Sequence, residues 1–161
     1  MTDKHVLIVE DDPDQAEALA RVLVLYGLTA EVAGTLALAL ARLRADDVGC
    51  VLLDLTLPDA TGVAGVTALV RDHPTVPVVV LTGSPDAEVE CLEAGAQEVL
   101  VKPGDPESLV RAIQTATARH KVRSEYRPYT RALESAVEKL GELVEAIPGK
   151  GGAPKPPKPP R

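Results

Sequence analysis

The 161-residue chain has no phenylalanine and no tryptophan, and its only aromatics are Tyr26, Tyr126 and Tyr129. Nucleic-acid modules that stack bases need exposed aromatic rings, so this composition excludes them. There are two cysteines, Cys50 and Cys91, at no motif spacing. They read as reduced, packed thiols, with a disulfide or redox pair as the alternative. The three histidines, His5, His73 and His120, lack the spacing of a metal site and read as structural or solvated. No apolar run approaches the roughly 20 residues that a membrane span requires. Met1-Thr2-Asp3-Lys4-His5 leads straight into a strand-like run, without the features of a secretory leader, so a cytoplasmic protein with no membrane partner is expected.

Hydrophobic residues make up 45% of the chain and charged residues 25%, enough for a globular core built from Leu, Val, Ile and Ala. The net charge of −7 is unevenly spread: residues 1–118 carry 19 acids against 7 bases, whereas residues 148–161 carry four bases and no acid. An acidic body argues against nucleic acid as a partner, because phosphate contacts need clustered Lys and Arg. It suits a bound cation or a basic protein surface.

Val6-Leu7-Ile8-Val9, Val51-Leu52-Leu53, Val76-Pro77-Val78-Val79-Val80-Leu81 and Val99-Leu100-Val101 are continuous apolar runs, and Leu28–Ala33 is a weaker fifth. Runs without clean alternation mark strands buried on both faces, as in a parallel sheet. Helical patterns lie between them. Asp12-Pro13, Ser84-Pro85 and Asp105-Pro106 each place a capping side chain before a first-turn proline. Thr35 opens a Leu/Ala-rich helix to Ala45, Gly62–Asp72 is a third helix, Asp86–Ala94 a short fourth, and the fifth runs from Glu107 past Ala116. Five strands alternating with five helices predict a doubly wound α/β domain with helices on both faces of the sheet.

Ligands in such sheets bind beyond the carboxyl ends of the strands. There the first strand delivers Glu10, Asp11 and Asp12, the third Asp54 and then Thr56, the fourth Thr82-Gly83, and the fifth Lys102-Pro103. Packed carboxylates repel, and a hard divalent cation such as Mg²⁺ relieves the repulsion. A lysine and a threonine beside them suit the oxygens of an incoming anion. The set points to phosphoryl transfer with a carboxylate nucleophile. Asp12 reads as the N-cap of the first helix and Asp59 as a turn residue beside Pro58.

Val6–Pro13, Asp54–Gly62, Val80–Gly83 and Val101–Pro103 resemble, in order, the four signature segments of the receiver domain of bacterial response regulators. The resemblance covers about residues 3–118. It implies a flavodoxin-like strand order 2-1-3-4-5, with Asp54 as the acceptor of a phosphoryl group from a sensor histidine kinase or phosphotransfer protein. It further implies that Asp11 ligates Mg²⁺ directly and Glu10 through water, with Asp54 and the backbone carbonyl of Thr56 completing the set. Thr82 would bond a phosphoryl oxygen, Lys102 would pair with Asp54 and then with the phosphoryl group, and Lys102-Pro103 would be cis. Two positions depart from the family pattern. Val99 stands where many receivers carry Tyr or Phe, and Gly104 where many carry Phe. An aromatic switch is therefore absent from the fifth strand. The expected substitute is backbone movement of the Gly83–Asp86 loop, or transmission through the fifth helix.

The remainder is expected to be an appendage. The reading is a receiver at 1–122, an amphipathic helix at 123–147 that starts afresh at Pro128, and a disordered Pro/Lys-rich tail at 148–161. The tail holds a Pro-x-x-Pro-x-Arg pattern at 156–161, read here as a solvated basic segment. The helix carries apolar residues at 129, 133, 136, 140, 143 and 147. Folding back, a homodimer and binding to another protein are its three possible uses. No DNA-binding or enzymatic output domain fits after residue 118, so signalling by protein contact is expected, with no turnover of an external metabolite. The alternatives are a phosphorylation-independent scaffold and a Mg²⁺-dependent phosphatase. The phosphatase is disfavoured because Thr56 stands where its second acid would be.

Overall fold

The computed structural model describes residues 5–45 and 47–147. Its contacts divide the chain into two compact units with the boundary between Arg123 and Ser124. The expected tail lies outside the described residues.

The first unit alternates strand and helix. In order it contains β1 (His5–Val9), α1 (Pro13–Leu25), β2 (Thr29–Ala33), α2 (Leu36–Arg42), β3 (Cys50–Asp54) and α3 (Ala64–Asp72). These are followed by β4 (Val78–Thr82), α4 (Glu88–Glu93), β5 (Glu98–Val101) and the start of α5 (Pro106–Glu145). The strands form one parallel sheet in the order β2-β1-β3-β4-β5. This is the doubly wound fold that the pattern of runs and caps predicts.

Both faces of the sheet are covered, which explains why the strands show no polar alternation. Leu7, Val9, Val51, Leu53, Val78 and Val80 point to one core, which also takes Ala39 of α2, Val66 and Leu69 of α3, and Cys91 of α4. The intervening Val6, Ile8, Cys50, Leu52, Val79 and Leu81 point to the other, with Leu23 of α1 and Leu109 and Ile113 of α5. The chain leaves β1 towards β2 and later crosses to β3 on the other side. The carboxyl ends of β1 and β3 therefore flank the point where the winding reverses, the usual place for a ligand site.

Two helix ends differ from expectation for local reasons. The fourth helix begins as a 3₁₀ turn, Pro85–Ala87, before α4 proper. Gly62 stays outside α3 because its φ of +59° is left-handed. A larger difference concerns Pro128, which lies inside α5 rather than opening a new helix. A proline in a helix interior removes one backbone hydrogen bond, at about 3 kcal/mol. Continuing an existing helix avoids the unfavourable nucleation that a fresh start at Pro128 would require.

The second unit, taken by itself, is the helix from Ser124 onward. Tyr126, Tyr129, Leu133, Leu140 and Leu143 are all exposed on it, as is Ile147 just past its end. No other element of that unit is present among the described residues to cover them.

Asp59 is the main correction within the first unit. It is not simply a turn residue. Its Oδ1 accepts from the Leu36 backbone N–H at 2.9 Å and its Oδ2 from the Ala37 N–H at 2.9 Å. The α2 N-terminus is thus capped twice, by Asp59 and by Thr35 Oγ1, which accepts from Leu38 N–H at 3.2 Å. The Ala37 and Leu36 N–H groups hold the Asp59 carboxyl below its ordinary value.

Two predictions follow from this packing. Gly95 has φ +109°, and a Cβ there would meet Val70 Cγ1 at 2.9 Å. Gly95→Ala is expected to cost about 1–3 kcal/mol in urea denaturation, from strained backbone and overpacking together. A lowered carboxyl pKa stabilises the fold above the unfolded value, and that stabilisation is lost as pH falls through the folded one. Asp59→Ala should therefore lower the melting midpoint at neutral pH. The gap to the wild type should close as the pH drops below the ordinary carboxyl range.

Candidate functional site

Glu10 directly follows β1 and Asp54 ends β3, on adjacent strands whose register pairs Val9 with Leu53. Asp11 follows at the mouth. One carboxylate oxygen from each of Glu10, Asp11 and Asp54 lies within 4.8 Å of the others. Glu10 is 2% exposed and Asp54 9%, whereas Asp11 is open to solvent. Three acids at this distance repel one another, and two of them have given up most of their hydration.

Lys102 offsets part of that repulsion. It follows β5, and its backbone N–H donates to the Thr82 carbonyl at 2.7 Å. Its Nζ donates to Glu10 Oε2 at 3.2 Å and stands 3.5 Å from Asp54 Oδ1. The Lys102-Pro103 peptide bond is cis. Burial pushes the Glu10 carboxyl above its ordinary value. The Asp12 N–H, donating to Glu10 Oε1 at 3.1 Å, opposes this; the Asp54 charge reinforces it, and Lys102 opposes it again. The net upward direction is set first by burial, which the Asp12 N–H and Lys102 offset only in part.

Asp12 is the N-cap of α1, as its place before Pro13 predicts. It accepts from the N–H groups of Asp14 at 2.9 Å and Gln15 at 3.2 Å, and these hold its carboxyl below the ordinary value. Asp12 is therefore occupied with the helix.

Gln15 is the residue that sequence reasoning missed. Its Oε1 accepts from Lys102 Nζ at 3.0 Å while its Nε2 donates to Asp12 Oδ2 at 3.2 Å. Both halves of the amide face the correct charge, which fixes its orientation. Only its position in the first turn of α1, three residues after the capping acid, hinted at it.

Thr82 is buried at the end of β4. Its hydroxyl donates to the Ser84 carbonyl at 3.3 Å and accepts from the Ser84 N–H at 3.0 Å. Thr56 lies two residues past Asp54, in an isolated bridge with Thr61. Val99 is a core residue packed with Val80 and Cys91. His5 lies at the other end of β1, beside Thr29 and Glu31.

The residues fit a hard divalent cation: three carboxylates converge, one is raised by burial, and a single lysine balances them. Magnesium sites need only one or two carboxylates and keep several waters.

The response regulator receiver domain model matches residues 6–114. The DNA-binding response regulator MtrA of Mycolicibacterium smegmatis is 36% identical over 120 residues, 73% of this chain and 52% of that protein. The transcriptional regulatory protein PrrA of Mycobacterium bovis is 36% identical over 152 residues, 93% of this chain and 62% of that protein. The chain thus spans little more than half the length of these curated relatives. Among solved structures, a CheY-like response regulator receiver domain protein from Methanospirillum hungatei matches with TM-score 0.68 and 27% identity, covering 74% of this chain and 98% of that one. With the matched segment containing every strand, the acidic cluster and Lys102, the chain belongs to the response regulator receiver domain family of two-component systems.

Proposed function

We propose that residues 1–122 accept a phosphoryl group on Asp54 from a sensor histidine kinase or phosphotransfer protein, with Mg²⁺ bound at Glu10, Asp11, Asp54 and the Thr56 carbonyl. The observation that carries this reading is the placement of Asp54 Oδ1 beside both the acidic cluster and the Lys102 ammonium.

Each side chain has a part that follows from its position. Asp54 is held at a strand end, where an oxygen can attack phosphorus in line. The Oδ–P bond forms as the P–N bond of a phosphohistidine breaks, and the imidazole leaves with the electron pair. Bound Mg²⁺ supplies positive charge to the phosphoryl oxygens. Lys102 exchanges Glu10 and Gln15 for a phosphoryl oxygen, and Gln15 keeps it at the mouth until then. The Thr82 hydroxyl gives up the Ser84 carbonyl for another phosphoryl oxygen. That exchange pulls on residues 83–86, so backbone movement there replaces the aromatic switch that Val99 cannot provide.

Receiver domains are signalling modules rather than enzymes, and this chain performs chemistry on itself alone under the reading. The described residues contain no helix long and apolar enough to cross a membrane. The proposed setting is cytoplasmic. Output passes through protein contact, with the helix of 123–147 meeting a second copy of the chain.

Intact-mass analysis after incubation with Mg²⁺ and acetyl phosphate is expected to show one added phosphoryl group in the wild type and none in Asp54→Asn. Uptake that persists in the variant would remove Asp54 from the role. Glu10→Gln is expected to weaken Mg²⁺ binding about tenfold or more, as loss of an outer-shell carboxylate does. Backbone amide shifts of Asp11 and Asp54 during a Mg²⁺ titration measure it, and an unchanged affinity would exclude Glu10 from the metal site.

A further inference from the structure

We infer that two copies of this chain pair through residues 126–143 of α5 in antiparallel orientation. This rests on the reading that the helix meets a second copy, and adds its direction and register.

Tyr126, Tyr129, Leu133, Ala136, Leu140 and Leu143 follow one another at alternating steps of three and four along a continuous helix, and Ile147 keeps the spacing two residues past its end. That spacing lays them in one seam, with alternating positions of the coiled-coil type. Every member is exposed, from 70% at Tyr129 to 51% at Ile147 among the large ones. Val137 and Val144 widen the seam on one side and are also exposed.

The order of side-chain sizes along the seam decides the direction. A parallel, in-register pair sets each residue against itself. Two tyrosine layers would then be crowded, while Ala136 against the partner's Ala136 would leave a gap. Close-packed interfaces tolerate neither. An antiparallel pair sets each first-type position against a second-type one. Tyr126 then meets Leu143 of the partner subunit, Tyr129 meets Leu140 of the partner subunit, and Leu133 meets Ala136 of the partner subunit. The same layers repeat in reverse on the other side of the two-fold axis. Each layer combines a larger with a smaller side chain, and all six residues from Tyr126 to Leu143 are used.

Charge agrees in sign. Residues 119–131 carry five bases and one acid, whereas residues 132–147 carry four acids and one base. Parallel pairing would stack like charge on like at both ends, and antiparallel pairing places each basic half beside an acidic one. Arg123, Arg127 and Arg131 recur at every fourth residue, as do Glu134, Glu138 and Glu142, so a lone helix carries like-charge neighbours along each row. Glu142 and Glu145 also sit near the helix C-terminus, where the dipole disfavours acids. These charges lie off the seam, so they bias direction through the field rather than by contact. The layers above centre the pair between Glu134 and Ser135, close to where the charge changes sign.

Light scattering on the full chain, combined with spin-label distances in the same preparation, tests this. Cys50 and Cys91 are buried, and burial pushes the Cys50 thiol up to about 12, so a new exposed cysteine takes the label selectively. The expected result is a dimer. Labels on Ser135→Cys should lie close together, and labels on Arg127→Cys should be offset by about 22 Å along the helix axis. Mixing Arg127→Cys with Glu142→Cys should produce a short distance absent from either alone. Leu140→Lys, a change at an exposed position that the fold of one chain does not need, should yield monomers. A wild type that is monomeric or trimeric, or a dimer that survives Leu140→Lys, would overturn the reading of the helix as the self-contact. A dimer with close Arg127→Cys labels would leave that reading standing and overturn the antiparallel direction.

Discussion

Mutual repulsion among Glu10, Asp11 and Asp54 is the constraint around which the domain is arranged. The sheet brings these acids together because it reverses its winding between β1 and β3, and both strands deliver a carboxylate at the same end. Water would relieve the repulsion, but Glu10 and Asp54 are mostly shielded from it. What remains is positive charge. Lys102 supplies some of it, while burial holds the Glu10 carboxyl above its ordinary value. Under the proposed function, a divalent cation adds the rest when a phosphoryl group arrives. A carboxyl perturbed by burial beside a specific charge partner is how functional sites are marked.

Much of this was legible from residues alone, because its causes are local. Strands buried on both faces must be apolar throughout, and Val6–Val9 and Val78–Leu81 are. Asp12 before Pro13 and Thr35 before Leu36 announce helix starts by capping chemistry that acts over three residues. The end of a parallel strand is where a site lies, so Glu10, Asp54, Thr82 and Lys102 could be picked out by position. Illegible features depend on partners distant in sequence. Asp59 caps a helix that begins 23 residues earlier, and nothing around Pro58 signals the distant amides. Gln15 reaches a lysine 87 residues away, which depends on how α1 leans against the end of β5. Pro128 misled for another reason: the rule that proline opens helices weighs local cost, whereas the helix here extends from a packed segment already formed.

The core composition has its own bearing on signalling. With no phenylalanine anywhere and Val99 packed in the core, β5 lacks a large ring that could swing between inside and outside. Three of its four register partners on β4, Val79, Val80 and Thr82, are β-branched, and such side chains have few rotamers to exchange. Under the proposed function, the change travels in the backbone instead. The loop after Thr82 is suited to this, since a single hydroxyl both donates to and accepts from Ser84 and holds the turn in one arrangement.

The double cap by Asp59 has a consequence for how this chain can vary. Surface loops ordinarily accept insertions and deletions freely, because their ends are fixed and their middles touch nothing. The segment between β3 and α3 does not have that freedom. Its middle is pinned to the first turn of α2, and Leu57 N–H bonds the Ala60 carbonyl immediately beside the pin. Adding or removing a residue there would shift the register of Asp59 and release the start of a helix on a different crossover. Among the connections at this rim, length is fixed at this one by a neighbour's amides.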